Sequence, residues 1–385
     1  MVIRSGTAAA ALLAFLYGAA AHAQAPAQEF KIGIVLPLTG PGADIAKNLA
    51  AGAQAMIPLI NARGGIGGMP ARAIVCDSQS QEQQAILCDR RLISEDKVNI
   101  ISGNSSTPQT MAALPLIDAA GIPFFSTGAG TQTFRPVKKW VFKGLNSNED
   151  MIDAAFDYIK RKGMKRVALI RDTGPFGSDI AQLFKDIVRN SGVEIVADES
   201  YAATDNDMTA QVTRVRALRP DIIIDIAVTA PPGALVAKKI VQLGISAPIL
   251  VGTNLQTDGF VNLVGDAADQ ILFMGLKVLL PNLPKTDPLY ENVVAFRQEF
   301  AKANPGVTLN SLSPNTGDAM LVTQAAAKSL GVKALDKNAL LEQLNRVTNV
   351  PGLQGLWTFT PTSHETPLKG TTVFKYTKGA WVAVD

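Results

Sequence analysis

The sequence predicts an α/β protein with two doubly wound parallel-sheet lobes and a ligand cleft between them. The chain has 385 residues, which is the length of two ordinary domains. Short runs rich in Ile and Val alternate with longer segments of helical period, as in stacked βαβ units. This alternation restarts after residue 144, which indicates a second lobe of similar build.

The first lobe is predicted from the elements between residues 31 and 126. Apolar runs predict strands at 31–36, 72–77, 98–102 and 123–126. Helical spacing predicts helices at 45–61, 82–95 and 108–120. Strands and helices in strict alternation favour one doubly wound sheet.

The second lobe is predicted from the same alternation after a short segment at 140–144. The predicted strands are 166–171, 193–201, 222–227 and 249–251. The predicted helices are 149–162, 179–191, 207–218 and 233–243. Ile222, Ile223 and Ile224 form a continuous apolar run, which is expected of a strand that helices cover on both faces.

The pattern changes after a strand at 271–277, where a Pro-rich stretch leads into helices without intervening strands. These helices are predicted at 289–303, 314–330 and 337–345, and short strands at 355–359 and 371–384. Helices alone cannot form a third sheet, so they most simply complete the first lobe. The chain would then cross between the lobes more than once.

The composition excludes several classes of protein. Hydrophobic residues make up 47% and charged residues 18%, which is typical of a globular chain. A net charge of +3 without a basic stripe gives no footprint for nucleic acid. Two His and two Cys are too few for a zinc, iron-sulfur or His-based metal centre, so no metal and no cofactor are expected. No nucleophile elbow is present, and we expect no catalysis.

The first 23 residues have the pattern of a secretory signal peptide. Arg4 precedes an apolar run at 8–21, and Ala-His-Ala at 21–23 forms a small-x-small cleavage pattern. The run is short for a membrane span. We therefore expect cleavage between Ala23 and Gln24 and a soluble exported protein, with retention of the segment as an anchor as the alternative.

Cys76 and Cys88 are the only cysteines of the chain. In an oxidising compartment an even pair is more often a disulfide than two thiols. Cys76 lies near the end of a predicted strand, and Cys88 lies about two turns into the helix that follows and runs back alongside it, so bridging is feasible. A Cys76–Cys88 disulfide is expected, and two buried free thiols are the alternative.

Two polar loops follow neighbouring strands of the first lobe, at the sheet edge where open α/β folds bind ligands. The first loop contains Ser105, Ser106 and Thr107. Thr107 suits a helix cap before Pro108, whereas three hydroxyls at a helix start also describe an anion cradle. The second loop contains Gly128, Ala129, Gly130 and Thr131, and it is either part of a shared pocket or an ordinary surface loop.

Three loops of the second lobe occupy the corresponding edge. The turn at 172–177 places Phe176 there, either in the cleft or as a helix-packing residue. Thr229 and Ala230 follow the next strand, and Thr253 and Asn254 follow the one after it. These residues would face the first lobe across the cleft.

Together these features resemble the periplasmic leucine/isoleucine/valine-binding protein family, the type I solute-binding proteins of ABC importers. The resemblance covers nearly all of the mature chain. It is carried by LPLTG at 36–40, INARGGI at 60–66, GIP at 121–123 and GDAA at 265–268. It implies a Venus-flytrap protein with no cofactor, in which one lobe binds a small solute and the other closes over it by hinge motion.

The resemblance also implies limits for the two lobes. Lobe 1 would comprise 29–144 plus 278–352, and lobe 2 would comprise 145–277 plus 353–385. Three hinge crossovers would join them, which agrees with the return of the later helices to the first lobe.

In that family a hydroxyl and backbone amides of the first lobe hold the ligand carboxylate. The resemblance implies that Thr107 supplies the hydroxyl and that Gly128 and Gly130 supply the backbone amides. The family commonly has a second hydroxyl where this chain has Gly130, and Thr131 would replace it. Ile45 stands where an aromatic gate often lies.

The amine end departs from the family pattern. Thr253 and Asn254 stand where amino-acid-binding members have a carboxylate for the ligand ammonium, and only a shifted alignment would bring Asp258 there. Thr229 and Ala230 replace an aromatic. A buried ammonium without an anionic partner is costly, so the ligand is either of the branched-chain amino-acid type or an aromatic or aliphatic acid without an amine.

The expected protein is a soluble periplasmic monomer that delivers this solute to the permease and ATPase subunits of an ABC importer at the inner membrane. The alternative is a sensor that uses the same closure to report a ligand to a membrane receptor or regulator.

Overall fold

The structure is a computed structural model that describes residues 28–202, 204–365 and 370–384. The predicted signal peptide lies outside these residues. The helices are α1 (Ala43–Ala62), α2 (Glu82–Ser94), α3 (Thr107–Ala120), α4 (Asn148–Arg161), α5 (Pro175–Val188), α6 (Thr209–Leu218), α7 (Ala230–Gln242), α8 (Asp258–Val264), α9 (Tyr290–Ala303), α10 (Asn315–Ala327) and α11 (Lys337–Leu344). Among the residues described, no helix is both long and apolar enough to cross a membrane.

The strands form two main sheets and one small ribbon. They are β1 (Phe30–Leu36), β2 (Ala71–Asp77), β3 (Ile100–Gly103), β4 (Phe124–Ser126), β5 (Val141–Lys143), β6 (Arg166–Asp172), β7 (Glu194–Tyr201), β8 (Ile222–Ile226), β9 (Ile249–Val251), β10 (Ile271–Leu276), β11 (Val350–Pro351), β12 (Leu356–Trp357), β13 (Thr371–Thr377) and β14 (Ala380–Ala383). The ribbon pairs β11 with β12.

The first sheet has the order β2-β1-β3-β4-β5, and all of its pairs are parallel. The second sheet has the order β14-β13-β10-β9-β8-β6-β7. Its pairs from β10 to β7 are parallel, and β13 and β14 add an antiparallel edge. All five residues of β8 are buried, as its continuous apolar run predicts. The two-lobed α/β fold predicted from the sequence is confirmed.

The helices after β10 return to the first sheet. Both α9 and α10 pack against α1. Helix α1 and the segment before α10 come closest at Gly52, where an added Cβ would lie 1.7 Å from the Ser313 carbonyl oxygen. Glycine is required there because any side chain would separate the two segments.

The segment after β11 differs from the expected lobe limits. Residues 353–365 were expected in lobe 2, but His364 stacks on Phe142 of the first sheet with ring centroids 4.1 Å apart. The Lys143 N–H also donates to the His364 carbonyl oxygen at 2.9 Å. These contacts place the end of the segment against the first sheet, and β13 is the next segment to pair with the second sheet.

A disulfide joins Cys76 of β2 to Cys88 of α2, with the two Cα atoms 5.7 Å apart. The predicted bridge is confirmed. It ties an edge strand to the helix that follows it, 12 residues further along the chain.

Replacing both Cys76 and Cys88 by Ser is expected to lower the free energy of unfolding by about 3 kcal/mol, because the unfolded chain regains the entropy of a short loop. Urea unfolding of the double variant measures the loss. Dithiothreitol should destabilise the wild type by a similar amount and leave the double variant unchanged. Equal stability of the two proteins without reductant would contradict the prediction.

Candidate functional site

A cavity of about 480 Å³ lies between the facing edges of the two sheets. Of the residues predicted from the sequence, those that line it are Ile45, Ser105, Ser106, Thr107, Ala129, Phe176, Thr229, Thr253 and Asn254. The cavity therefore brings together loops that are separated by up to about two hundred residues in the sequence.

Gly128, Gly130, Thr131 and Ala230 do not line the cavity, although the sequence placed them in the site. The N–H of Gly128 donates to Ser126 Oγ at 3.0 Å, and that of Gly130 donates to Thr107 Oγ1 at 2.9 Å. Thr131 N–H donates to the Asp179 carboxylate. These amides are engaged within the protein, so the expected backbone contribution to carboxylate binding is not available from them in this arrangement.

The hydroxyl groups of the first loop take different roles at the start of α3. Ser106, and not Thr107, is the cap: its backbone is extended and its hydroxyl accepts from Gln109 N–H at 3.3 Å. Thr107 is the first helical residue, and its Oγ1 accepts from Gly130. A hydroxyl that accepts one bond can still donate its own proton. Thr107 and Thr127, whose buried hydroxyl has no hydrogen-bond partner, therefore each have a proton to donate at this end of the cavity.

A buried polar network supports this loop from behind. Asn104 has a positive φ of 52°, and its Nδ2 donates to Asp89 Oδ2 at 2.9 Å. Its carbonyl oxygen accepts from the Thr110 hydroxyl. Asp89 is fully buried, and burial raises the pKa of its carboxyl to about 7. The sequence signal that was missed is an Asp on the buried face of α2, next to Cys88.

Helix starts from both lobes converge on the cavity. Residues in the first two turns of six helices line it: Ile45 of α1, Thr107 of α3, Asn148 of α4, Phe176 of α5, Pro232 of α7 and Asn315 of α10. Each helix N-terminus carries a partial positive charge and unpaired N–H groups. These partial charges favour an anionic group near the helix starts, and the described lining contains no Lys, Arg or His.

Asp172 is the one ionisable residue among the described residues that line the cavity. It is only 4% exposed, and its Oδ1 accepts from Gly174 N–H at 2.7 Å. Burial raises its pKa above the usual range for Asp. Asp258, which a shifted alignment would place at the amine end, does not line the cavity. No well-exposed carboxylate therefore faces a ligand ammonium in this lining.

Much of the remaining wall is apolar, and sequence reasoning missed most of it. It includes Leu49, Leu145, Met151, Val228, Pro232 and Leu312. The missed polar groups are Asn146, Asn148, Ser311 and Asn315. Asn146 and Asn148 lie just after the chain leaves the first sheet, whereas Ser311 and Asn315 lie just before and at the start of α10. Neither segment has a recognisable motif, and only the folded chain brings them to the cavity.

Ion pairs connect the first and last crossovers. Arg135 pairs with Glu149 at the start of α4, and its Nε lies 2.6 Å from Glu365 Oε1. The buried Lys143 lies 3.3 Å from the other Glu365 oxygen. This cluster joins segments that lie beside two different passages of the chain from one sheet to the other.

Comparisons with known proteins agree with the fold and the cleft. A family model described as periplasmic binding protein matches residues 29–380. A Leu/Ile/Val-binding protein of Rhizobium johnstonii is 24% identical over 264 residues, which cover 68% of this chain and 71% of that protein.

Solved structures show the same fold. An extracellular ligand-binding receptor from Rhodopseudomonas palustris has a TM-score of 0.81 and 24% identity, and the alignment covers 93% of this chain and 100% of that one. A leucine-binding protein from Thermotoga maritima has a TM-score of 0.76 and 20% identity, with 92% and 97% covered.

Proposed function

The chain belongs to the periplasmic binding protein family, and from this premise we propose that it is the solute-binding protein of an ABC importer for small carboxylate-bearing molecules. It is exported by its signal peptide, captures the solute as a monomer in the periplasm, and presents it to the permease. It catalyses no reaction. The names of its relatives, which are binding proteins, support this proposal.

The observation that carries the proposal is the set of helix starts around the cavity. Residues in the first two turns of six helices line it, and its described lining contains no Lys, Arg or His. Helix N-termini stabilise anions through free N–H groups and aligned dipoles. The Thr107 hydroxyl and the N–H groups at the start of α3 would bind the carboxylate of the solute. The apolar wall would contact the rest of the solute.

The preferred solute in this proposal lacks an α-ammonium. The ammonium of an amino acid would lose its hydration inside the closed cavity and needs an anionic partner there. Asp172, the one carboxylate of the described lining, is only 4% exposed, and its Oδ1 already accepts from Gly174 N–H, which leaves only Oδ2 for an ammonium. Aliphatic and aromatic carboxylic acids satisfy the cradle and the apolar wall without this cost.

We also propose the lobe limits that the contacts support. Lobe 1 comprises 29–144, 278–352 and the segment 353–365, and lobe 2 comprises 145–277 and 370–384. Three crossovers then join the lobes, and closure is a rotation about them.

A thermal-shift screen of the purified mature protein tests the solute class with three matched probes. Leucine carries both charged groups, 4-methylpentanoate lacks the amine, and 3-methylbutylamine lacks the carboxylate. A ligand that binds only the folded protein raises the melting temperature. We expect 4-methylpentanoate or an aromatic acid such as benzoate to stabilise more than leucine, and the amine to have no effect.

Each alternative outcome has a clear meaning in this screen. Tight binding of leucine with weak binding of 4-methylpentanoate would contradict the proposal that the solute lacks an amine. The proposal that the cavity binds a carboxylate would still stand. Stabilisation by the amine alone would contradict an anion-binding cavity.

Thr107→Val is expected to weaken binding of a stabilising carboxylate about tenfold, because it removes a hydrogen bond to a charged group. Isothermal titration calorimetry measures the change. Thr107→Ser keeps the hydroxyl and serves as the matched control, with affinity close to that of the wild type. Equal affinity of the Val and Ser variants would show that Thr107 does not hold the carboxylate.

A further inference from the structure

We infer that Asp179 is a positioning residue that holds the two lobes together across the cleft and thereby sets the affinity for every solute that the cavity accepts. This inference rests on the proposed function, because it takes lobe closure as the capturing step. The observation behind it is one hydrogen bond: Thr131 N–H donates to Asp179 Oδ2 at 2.7 Å.

The two partners belong to different lobes. Asp179 lies on α5, which packs on α4, β6, β7 and β8, all of them around the second sheet. Thr131 begins the short 3-10 helix 131–133 that follows β4 of the first sheet. A rotation that opens the cleft moves these elements apart, and the short Asp side chain cannot follow.

Neither partner lines the cavity. Asp179 is three residues beyond Phe176, so the two side chains lie on the same face of α5 one turn apart. Phe176 lines the cavity, whereas Asp179 lies outside the lining and accepts the hydrogen bond from the first lobe. The bond therefore forms through closure itself and does not depend on which solute is bound.

The chemistry of the bond favours a substantial effect. A carboxylate that accepts from a backbone N–H forms a charge-assisted bond, which is stronger than a neutral one. Both residues are half-buried, which limits competition by water. The second bond to this loop, from Asn148 Nδ2 to the Ala129 carbonyl oxygen, starts beside the first crossover and is neutral.

The consequence is a shift in the population of closed protein. The apparent dissociation constant equals the intrinsic one divided by the closed fraction. A bond made only in the closed form raises that fraction. Its loss is expected to weaken binding of all solutes by the same factor of about ten.

The first test needs no solute. Spin labels are attached to Lys47→Cys in lobe 1 and Lys238→Cys in lobe 2, two exposed positions, while the native cysteines stay in their disulfide. Double electron-electron resonance measures the distance between the two labels in the wild type, in Asp179→Ala and in Asp179→Asn. We expect Asp179→Ala to shift the distribution to longer distances, and Asp179→Asn, which keeps an acceptor oxygen, to shift it less.

Asp186→Ala is the matched control for this measurement. Asp186 lies two turns further along α5, is exposed, and bonds to Gln182 and Arg189. It should leave the distances unchanged. A distribution for Asp179→Ala identical to that of the wild type would overturn the inference.

The second test is calorimetric titration with 4-methylpentanoate and with benzoate. Asp179→Ala should weaken both by the same factor, mainly through faster dissociation. A changed preference between the two acids would overturn the inference, because Asp179 would then contact the solute. If neither acid binds the wild type, the proposed solute class fails, and the distance measurement still decides the role of Asp179.

Discussion

Asp318→Ala is expected to lower the free energy of unfolding by about 4 kcal/mol, as for removal of one partner from a buried charged network. Asp318 is fully buried in α10. Its Oδ1 accepts from Leu353 N–H at 2.6 Å, and its Oδ2 accepts from the backbone N–H and the Nε2 of Gln354 at 3.0 and 3.1 Å. The substitution leaves the backbone N–H groups of Leu353 and Gln354 without this acceptor, and it leaves Gln354 Nε2 with only the Gly144 carbonyl oxygen at 3.5 Å.

The effect should extend to the hinge. Gln354 Oε1 accepts from Asn146 N–H at 3.0 Å, so Asp318 holds the first crossover through Gln354. Urea unfolding measures the loss, and Asp318→Asn, which keeps the volume and one acceptor oxygen, should lose less. Asp336→Ala is the matched control: this exposed Asp caps α11 by accepting from Asn338 and Ala339, and a lost cap costs about 1 kcal/mol. An Asp318→Ala loss no greater than that of Asp336→Ala would contradict the prediction.

Asp225→Asn is expected to stabilise the protein relative to the wild type by an amount that grows as the pH rises above about 4. Asp225 lies in the middle of β8, is fully buried, and has no hydrogen-bond partner on either carboxylate oxygen. Burial, and secondly the nearby charge of Asp172, raise the pKa of Asp225 well above its usual range.

The sign follows from the raised pKa. The folded protein keeps Asp225 protonated at pH values where the unfolded chain has released the proton. The associated stability is complete below the unfolded pKa of about 4 and is lost as the pH rises towards the folded value. The loss amounts to about 1.4 kcal/mol for each pH unit in that window. Asn has no proton to release, so the variant lacks this loss.

Urea unfolding of both proteins at several pH values gives the difference directly. Asp221→Asn is the control with the opposite sign. Asp221 stands just before β8, and backbone N–H groups of Lys165 and Arg166 lower the pKa of its carboxyl. Its replacement should therefore cost a constant amount of stability above about pH 4, and less as the pH falls below that value. A difference between Asp225→Asn and the wild type that is the same at every pH would contradict the prediction.

The same buried region contains Tyr201, whose hydroxyl has no hydrogen-bond partner. Burial raises the pKa of Tyr201, and the carboxylates of Asp225 and Asp172 raise it further. Asp172 connects this region to the cavity wall. Buried polar groups without partners cost free energy, and replacing Asp225 by Asn removes the part of that cost that depends on pH.

The elements of both sheets could be predicted because their causes are local. Alternation of apolar strands and amphipathic helices is visible in neighbouring residues, and parallel strands place their following loops at one edge. Ser105, Phe176 and Thr253 were predicted in the cleft for this reason alone. Helix starts were less accurate: α5 begins at Pro175, four residues earlier than predicted, because Pro is well suited to the first helical turn.

The sequence by itself determined the two-lobed α/β fold, the Cys76–Cys88 disulfide and the loops that face the cleft. Tertiary structure alone decided that residues 353–365 complete the first core, that the amides of Gly128 and Gly130 are already hydrogen-bonded, and that Asn148 and Asn315 line the cavity. The physical reason is the range of the interactions. Periodicity and chain spacing act between neighbouring residues, whereas burial and hydrogen-bond partners depend on segments that only the folded chain brings together.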